Sequence, residues 1–361
     1  MNAGSSRPET GRPPDAPGHT EQQNKIEETT MATTVATPAP AAQRSFDIVG
    51  FLEKYGTVMF LLALVVFFSV QNERFLSGRN ITNILTEVSI YGIIAVGMTY
   101  VILTGGVDLA VGSLLAFASL AGAYVVVNYF GGDGWFAALA ISLLIGTLAG
   151  YVHGKTVTML NVPPFIVTLG GMTIWRGATL ILNDGGPISG FDEAYRWWGR
   201  GDIAGVPVPV VAFLVVAVAG YIVQRYTRYG RQVFAVGGNP EAARLSGLNV
   251  KAILVSVYVM IGFLSGLSGF LLSARLGSAE AVAGVSYELR VIASVVIGGT
   301  SLFGGLGGVG GTIVGALLIG VLINGLVMIN VSAYYQQVII GVIIIMAVAF
   351  DTYAKSRRGR K

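Results

Sequence analysis

A single acidic side chain, Asp108, stands inside the stretch T-G-G-V-D-L-A-V-G-S from Thr104 to Ser113, between the apolar runs Val88–Leu103 and Leu114–Val127. A charge at membrane depth costs roughly 2.5–3.5 kcal/mol on insertion scales and is kept toward protein or water. Two roles suit it. It can cap a helix N-terminus by accepting backbone N–H groups, or it can line a polar path, and the two are compatible. Gly105, Gly106 and Gly112 permit a broken helix, tolerated at that depth only where protein or a cavity surrounds it. Ser113 adds a hydroxyl. No other constellation points to covalent chemistry. The chain has no Cys and two His, His19 in a polar tail and His153 alone after an apolar run. That excludes a thiolate metal site and leaves no Ser/His/Asp, paired-carboxylate or metal cluster at membrane depth. Gly305 to Gly310 spells G-x-G-x-x-G. It sits between apolar runs with no acid after it until Asp351, so close helix packing explains it better than a dinucleotide. No phosphate-binding G-x-x-x-x-G-K-[S/T] occurs, so this chain cannot hydrolyse ATP by itself, and no cofactor is expected.

The stretch around Asp108 has an echo. Gly298 to Gly305 reads G-G-T-S-L-F-G-G against G-G-V-D-L-A-V-G at Gly105 to Gly112. Breaks at matching places point to a transporter's central path, which makes Gly298, Gly299 and Ser301 candidates beside Gly105, Gly106, Asp108, Gly112 and Ser113. The two breaks are six spans apart, a parallel offset, so either one segment is re-entrant or the echo is fortuitous. Asn324, in a later apolar run, either bonds between helices or touches a solute. Arg176, within the fifth run, either reaches the outer interface or pairs with Asp108, and Glu288 and Arg290 are read as interface anchors.

A second motif lies in the longest basic loop, residues 224–250. Asn239 can cap a helix, Pro240 suits its first position, Glu241 its first turn, and Gly247 its stop. Ala242, Ala243 and Arg244 fill the turns between. Two turns are too short to persist alone in water, so the helix must dock, on this protein's own loops or on a partner.

The elements that must position these motifs are membrane spans. The 361 residues are 53% hydrophobic and 12% charged, about half the charged share of soluble domains. The net charge of +4 is not a nucleic-acid footprint, because the basic residues cluster in loops. Glycine, 50 residues, fits close helix approach, as in the four-residue spacings Gly262/Gly266, Gly307/Gly311 and Gly311/Gly315. Apolar runs near 51–70, 85–103, 107–127, 135–152, 163–182, 206–223, 251–274, 289–303, 308–330 and 334–350 give ten spans, the eighth interrupted by Gly298 and Gly299. Basic residues in 224–250 and at the C-terminus place both ends in the cytoplasm. The expected fold is all-α: a polytopic transmembrane bundle of residues 47–352, a disordered cytoplasmic tail at 1–46 and a basic cytoplasmic tail at 353–361.

T-G-G-V-D-L-A-V-G-S at 104–113, G-G-N-P-E-A-A-R-L-S-G at 237–247 and V-I-G-G-T-S-L-F-G-G at 296–305 together resemble the membrane permease subunit of bacterial ABC sugar importers of the ribose/xylose/galactose class. The resemblance covers about residues 50–350. It implies a multi-pass protein of the bacterial plasma membrane that forms a path for a neutral monosaccharide. Its partners would be an ATPase subunit, an extracytoplasmic sugar-binding protein and a second permease subunit, as a homodimer. It also implies that residues 239–247 enter a cleft on the ATPase. Branched-chain amino acid permeases share the architecture and are the alternative cargo class. A stand-alone ion-driven carrier is the other alternative, disfavoured because Asp108 is read as the single intramembrane carboxylate.

Overall fold

The computed structural model describes residues 48–358; the expected tail at 1–46 lies outside the described residues. Thirteen helices follow in chain order: α1 Ile48–Gln71, α2 Gly78–Leu103, α3 Val111–Phe130, α4 Trp135–Met159, α5 Pro164–Leu182, α6 Glu193–Arg200, α7 Val208–Tyr226, α8 Arg228–Gly238, α9 Pro240–Leu245, α10 Val250–Leu276, α11 Tyr287–Ile297, α12 Val309–Met328 and α13 Ala333–Arg358. Four two-residue strands tie loops: β1 Ile188–Ser189 pairs antiparallel with β4 Ser278–Ala279, and β2 Asp202–Ile203 with β3 Val206–Pro207. The fold among the described residues is therefore helical, with no closed sheet.

Among the described residues seven helices, α2, α3, α4, α5, α7, α10 and α12, are long and apolar enough to cross a membrane. Tyr55–Gln71 and Ala333–Ala349 are shorter apolar stretches at either end. The expected eighth span, 289–303, is a correction: α11 has 11 residues, about 16 Å of helix, roughly half of a 30 Å hydrocarbon core. It stops at Gly298, after which Gly299 turns left-handed at φ +88°, and the chain is non-helical until Val309. The fourth span runs further than expected, to Met159, so His153 lies inside α4 and is buried, with 4% of its surface exposed.

The bundle is layered around α2. Nineteen of its 26 residues are buried, on all sides of the helix, as a central element requires. By contrast α4, α5 and α7 expose most of their apolar side chains outward, as a lipid-facing shell does. Close approaches use the glycine spacings. On α10, Gly262 faces the Gly146 carbonyl and Gly266 the Ser142 carbonyl; on α4, Gly150 and Gly154 face Tyr258 and Val255 of α10. On α12, Gly311 and Gly315 sit on the carbonyls of Gly298 and Ser294. Gly307, in contrast, lies outside α12 and rests on Thr300. Small residues four apart let backbones touch where any side chain would hold them away.

Candidate gate and coupling segment

The break at 104–110 begins with a defined helix stop. Gly105 N–H donates to the Ile102 carbonyl at 2.9 Å and Gly106 N–H to the Val101 carbonyl at 3.0 Å, with Gly105 left-handed at φ +77°. This pair of bonds, three and five residues back, is the Schellman motif. The same motif ends α11: Gly299 N–H donates to Val296 at 2.9 Å and Thr300 N–H to Val295 at 3.1 Å, with Gly299 at φ +88°. The echo is thus structural, but its register differs from the sequence match by one residue. Gly105 corresponds to Gly299, and Thr104 to Gly298.

The two breaks touch. Gly305 N–H donates to the Leu103 carbonyl at 2.9 Å. Against both lies the end of α8: Gly237 packs on the Leu103 carbonyl and beside Gly305 N, while Gly304 approaches the Gly237 carbonyl. A side chain at Gly237 would wedge these backbones apart. The basic loop therefore adjoins both breaks directly, through glycine backbone.

Within the first break, polar groups find partners from three helices. The Val107 carbonyl accepts from Thr168 Oγ1 of α5 at 3.3 Å and Tyr258 Oη of α10 at 3.4 Å. Asp108 is 1% exposed. Its Oδ1 accepts from Ala110 N–H at 2.8 Å, a local turn cap before α3. Its Oδ2 lies 3.6 Å from His153 Nδ1 of α4. Trp175 of α5 donates its indole N–H to His153 Nε2 at 3.1 Å. Since Nε2 is the acceptor, the ring's own proton is assigned to Nδ1, the nitrogen facing the carboxylate. Asp108 is thus set between the local turn at Ala110 N–H and the imidazole of His153. His153 and Trp175 escaped sequence reasoning, because the carboxylate, imidazole and indole come from three separate helices.

Gly106 leaves no room: a methyl there would meet Tyr258 Oη at 2.7 Å. Gly112 backs onto the Gly284 carbonyl, with Glu288 beside it, so the segment after α10 dips to the level of the break. Ser113 Oγ turns back to the Ala110 carbonyl at 2.9 Å. Ser301, buried, anchors the second break, its N–H donating to the Leu306 carbonyl at 3.0 Å and its carbonyl accepting from Gly304 at 3.1 Å.

Three other residues sit differently. Asn324 exchanges amide hydrogen bonds with Asn80 of α2 at 2.9 and 3.0 Å; this is a helix-to-helix tie, not gathered with Asp108. Arg176 does not pair with Asp108; its guanidinium donates to the carbonyls of Ala281 and Ala283 at 2.6 and 3.0 Å, holding the dipping segment. Asp108 is also not the only carboxylate in the spans. Glu87 lies in α2 and contacts Arg275 at 2.6 Å and Arg290 at 3.5 Å. Arg290 is thus part of an ion-pair network rather than a free anchor.

The short helix forms as its residues require. Asn239 Oδ1 accepts from Ala242 N–H at 2.9 Å, and Pro240 occupies the first helical position. Leu248 N–H donates to the Ala243 carbonyl at 3.1 Å and Gly247, at φ +84°, to Arg244 at 3.0 Å, again a Schellman stop. Ala243 is buried against the protein, while Glu241, Ala242 and Arg244 face out. Arg244 grips Glu241 through two bonds, of 2.6 and 3.0 Å, and this pairing holds the Glu241 carboxyl below its usual range.

Asp108→Asn is expected to lower stability, because an amide offers one acceptor oxygen and the Ala110 turn uses it. Satisfying Ala110 N–H turns the NH₂ toward His153 Nδ1–H, and the mismatch costs about 1–3 kcal/mol. Thermal unfolding of purified protein checks this. An unchanged midpoint would mean that the His153 contact contributes nothing.

Residues 80–348 match the family described as branched-chain amino acid transport system, permease component. The chain is 42% identical over 311 residues to the ribose import permease protein of Bacillus subtilis (strain 168), covering 86% of this chain and 96% of that protein. It is 38% identical to the D-allose transport system permease protein of Escherichia coli (strain K12), covering 88% and 98%. With the galactose/methyl galactoside import permease protein of the same strain it shares 36%, covering 84% and 94%. No solved structure matches.

Proposed function

Because the chain belongs to the family of branched-chain amino acid transport system permease components, we propose that it is the membrane-spanning subunit of an ATP-driven importer that carries a neutral monosaccharide. It is a transport component rather than an enzyme. The cargo assignment is supported by relatives named for ribose, D-allose and galactose, each matched along nearly its whole length. These names favour a sugar over the branched-chain amino acid of the family's description.

The observation that carries the mechanism is the meeting of three glycine backbones, at Leu103–Gly106, Gly304–Gly305 and Gly237. The two breaks form the gate, with Gly105, Gly106, Asp108, Gly112, Ser113, Gly298, Gly299 and Ser301 at its lining or hinges. α9, with Asn239, Pro240, Glu241, Ala242, Ala243, Arg244 and Gly247, is the contact for a separate ATPase subunit, and α8 passes its displacement to both breaks. α9 is cytoplasmic in this reading, both chain ends lie on that side, and α1, α13 and the segment that runs from Leu276 through α11 complete ten membrane passes. A second copy of the permease would complete the path in a bacterial plasma membrane, with a sugar-binding protein outside.

The test is reconstitution in proteoliposomes with candidate ATPase and binding proteins. Uptake of a labelled monosaccharide should require ATP, the binding protein and this chain together. A cysteine at Ser246, in a chain that has none, should react only from the ATPase side. ATP-driven uptake of leucine in place of any monosaccharide would overturn the cargo assignment, and reaction from the binding-protein side would overturn the orientation.

A further inference from the structure

A cavity of 410 Å³ opens between α2, the end of α10 and the segment leading into α11. It lies at the end of α10 remote from α9; 27 helical residues separate the two, about 40 Å. Its size falls in the range of small-molecule sites, about 300–1,000 Å³. Its polar lining is Glu87, Arg275, Glu280 and Tyr287, and its apolar lining includes Leu272 and Val282. Its inner wall reaches Gly284, which rests directly on Gly112 beside the first break.

The charges are balanced. Glu87 Oε2 takes the strong contact with Arg275 at 2.6 Å. Glu87 Oε1 has only long partners, Arg290 Nη1 and Tyr287 Oη, both at 3.5 Å. Good O–H···O bonds run 2.5–3.0 Å, so Oε1 keeps acceptor capacity. Arg290 Nε is buried with no hydrogen-bond partner. Glu280 accepts from Ser278 Oγ at 2.6 Å through Oε1, one oxygen of two. An anion would meet Glu87 and Glu280, and a cation Arg275, so neither charge sign is favoured. A neutral molecule bearing adjacent hydroxyls is suited, since each hydroxyl can donate to a carboxylate and accept from a guanidinium. The apolar wall suits the C–H face of a ring.

We propose that this cavity is a low-affinity binding subsite for a cyclic polyhydroxylated solute, through which a monosaccharide passes before reaching the first break. The inference rests on the sugar-permease reading. Arg275 and Glu87 position hydroxyls through their paired geometry, and Glu280 and Tyr287 form the rim.

The test uses full-length permease in nanodiscs with Val282→Cys as the only thiol; Val282 is 64% exposed at the cavity. Its alkylation rate by a small maleimide is measured with D-ribose, D-allose and D-galactose at millimolar concentration, against leucine. Severalfold slowing by at least one sugar and none by leucine is expected. Glu87→Gln should remove that protection. Should Glu87→Gln fail to fold, Glu280→Gln, whose carboxylate is outside the Glu87 ion-pair network, should still weaken it. If the complete importer takes up a sugar that gives no protection, the subsite is overturned while the transport reading stands. Protection that survives Glu280→Gln and a folded Glu87→Gln overturns it equally. If the importer takes up no monosaccharide, the transport reading fails first.

Discussion

Arg244→Glu is expected to abolish sugar uptake while leaving the protein inserted and folded. Arg244 and Glu241 are 63% and 64% exposed and bond to each other, so reversing one charge leaves the buried packing in place. It does replace a bidentate ion pair by two acids three residues apart, a repulsive spacing on a helix. α9 has six residues, too few to hold without help. It keeps its caps at Asn239 and Gly247, so its outline survives, but the surface offered to an ATPase changes sign. ATPase subunits should fail to co-purify, or should hydrolyse ATP without response to binding protein. The pair also has a pH signature. Arg244 depresses the Glu241 carboxyl, so the contact is complete above the ordinary carboxylate range and is lost as pH falls through the lowered one. Coupling should therefore weaken only in acid. Wild-type transport rates in both Arg244→Glu and Glu241→Arg would make α9 an ordinary surface element.

Gly262→Leu is expected to be the most destabilising single substitution in the α4–α10 contact. Gly262 lies on the Gly146 carbonyl and the Gly150 backbone; these are main-chain atoms that cannot rotate away. Overpacking a tight contact costs about 1–3 kcal/mol when side chains can yield, and here two helix axes must separate instead. Three neighbouring glycine contacts, at Gly150, Gly154 and Gly266, would be prised open with it. Gly170→Ala on α5 is the control, since a methyl there meets nothing within 4 Å. Melting of detergent-purified protein should show a large loss for Gly262→Leu and almost none for Gly170→Ala. Equal midpoints would mean that the two helices are not held by backbone contact.

α9 was readable in the sequence because every group that makes it lies within ten residues: a cap at Asn239, Pro240, and Gly247 at the stop. The break around Asp108 was readable for the same reason, as charge and glycine interrupt an apolar run. Long-range pairing was not. His153 looked solitary because Asp108 and Trp175 reach it from α3's approach and from α5. Glu87 was overlooked because its arginines lie far along the chain, in α10 and α11. The glycine echo was found one residue out of register, since a helix stop is set by where the last turn ends, not by which glycine matches. The apolar run through Phe303 hid the end of α11, because hydrophobicity continues past the turn that Gly299 makes.

The chain has two histidines, and His19 lies outside the described residues. A His19→Gln variant grown with nitrogen-15 histidine would therefore report the gate through the buried ring of His153. The two ring nitrogens resonate far apart when one carries hydrogen and the other accepts it. Their separation would read directly whether Trp175 still donates and Asp108 still faces the ring. The protein thus contains its own spectroscopic indicator of the break, to be followed as ATPase, nucleotide and sugar are added in turn.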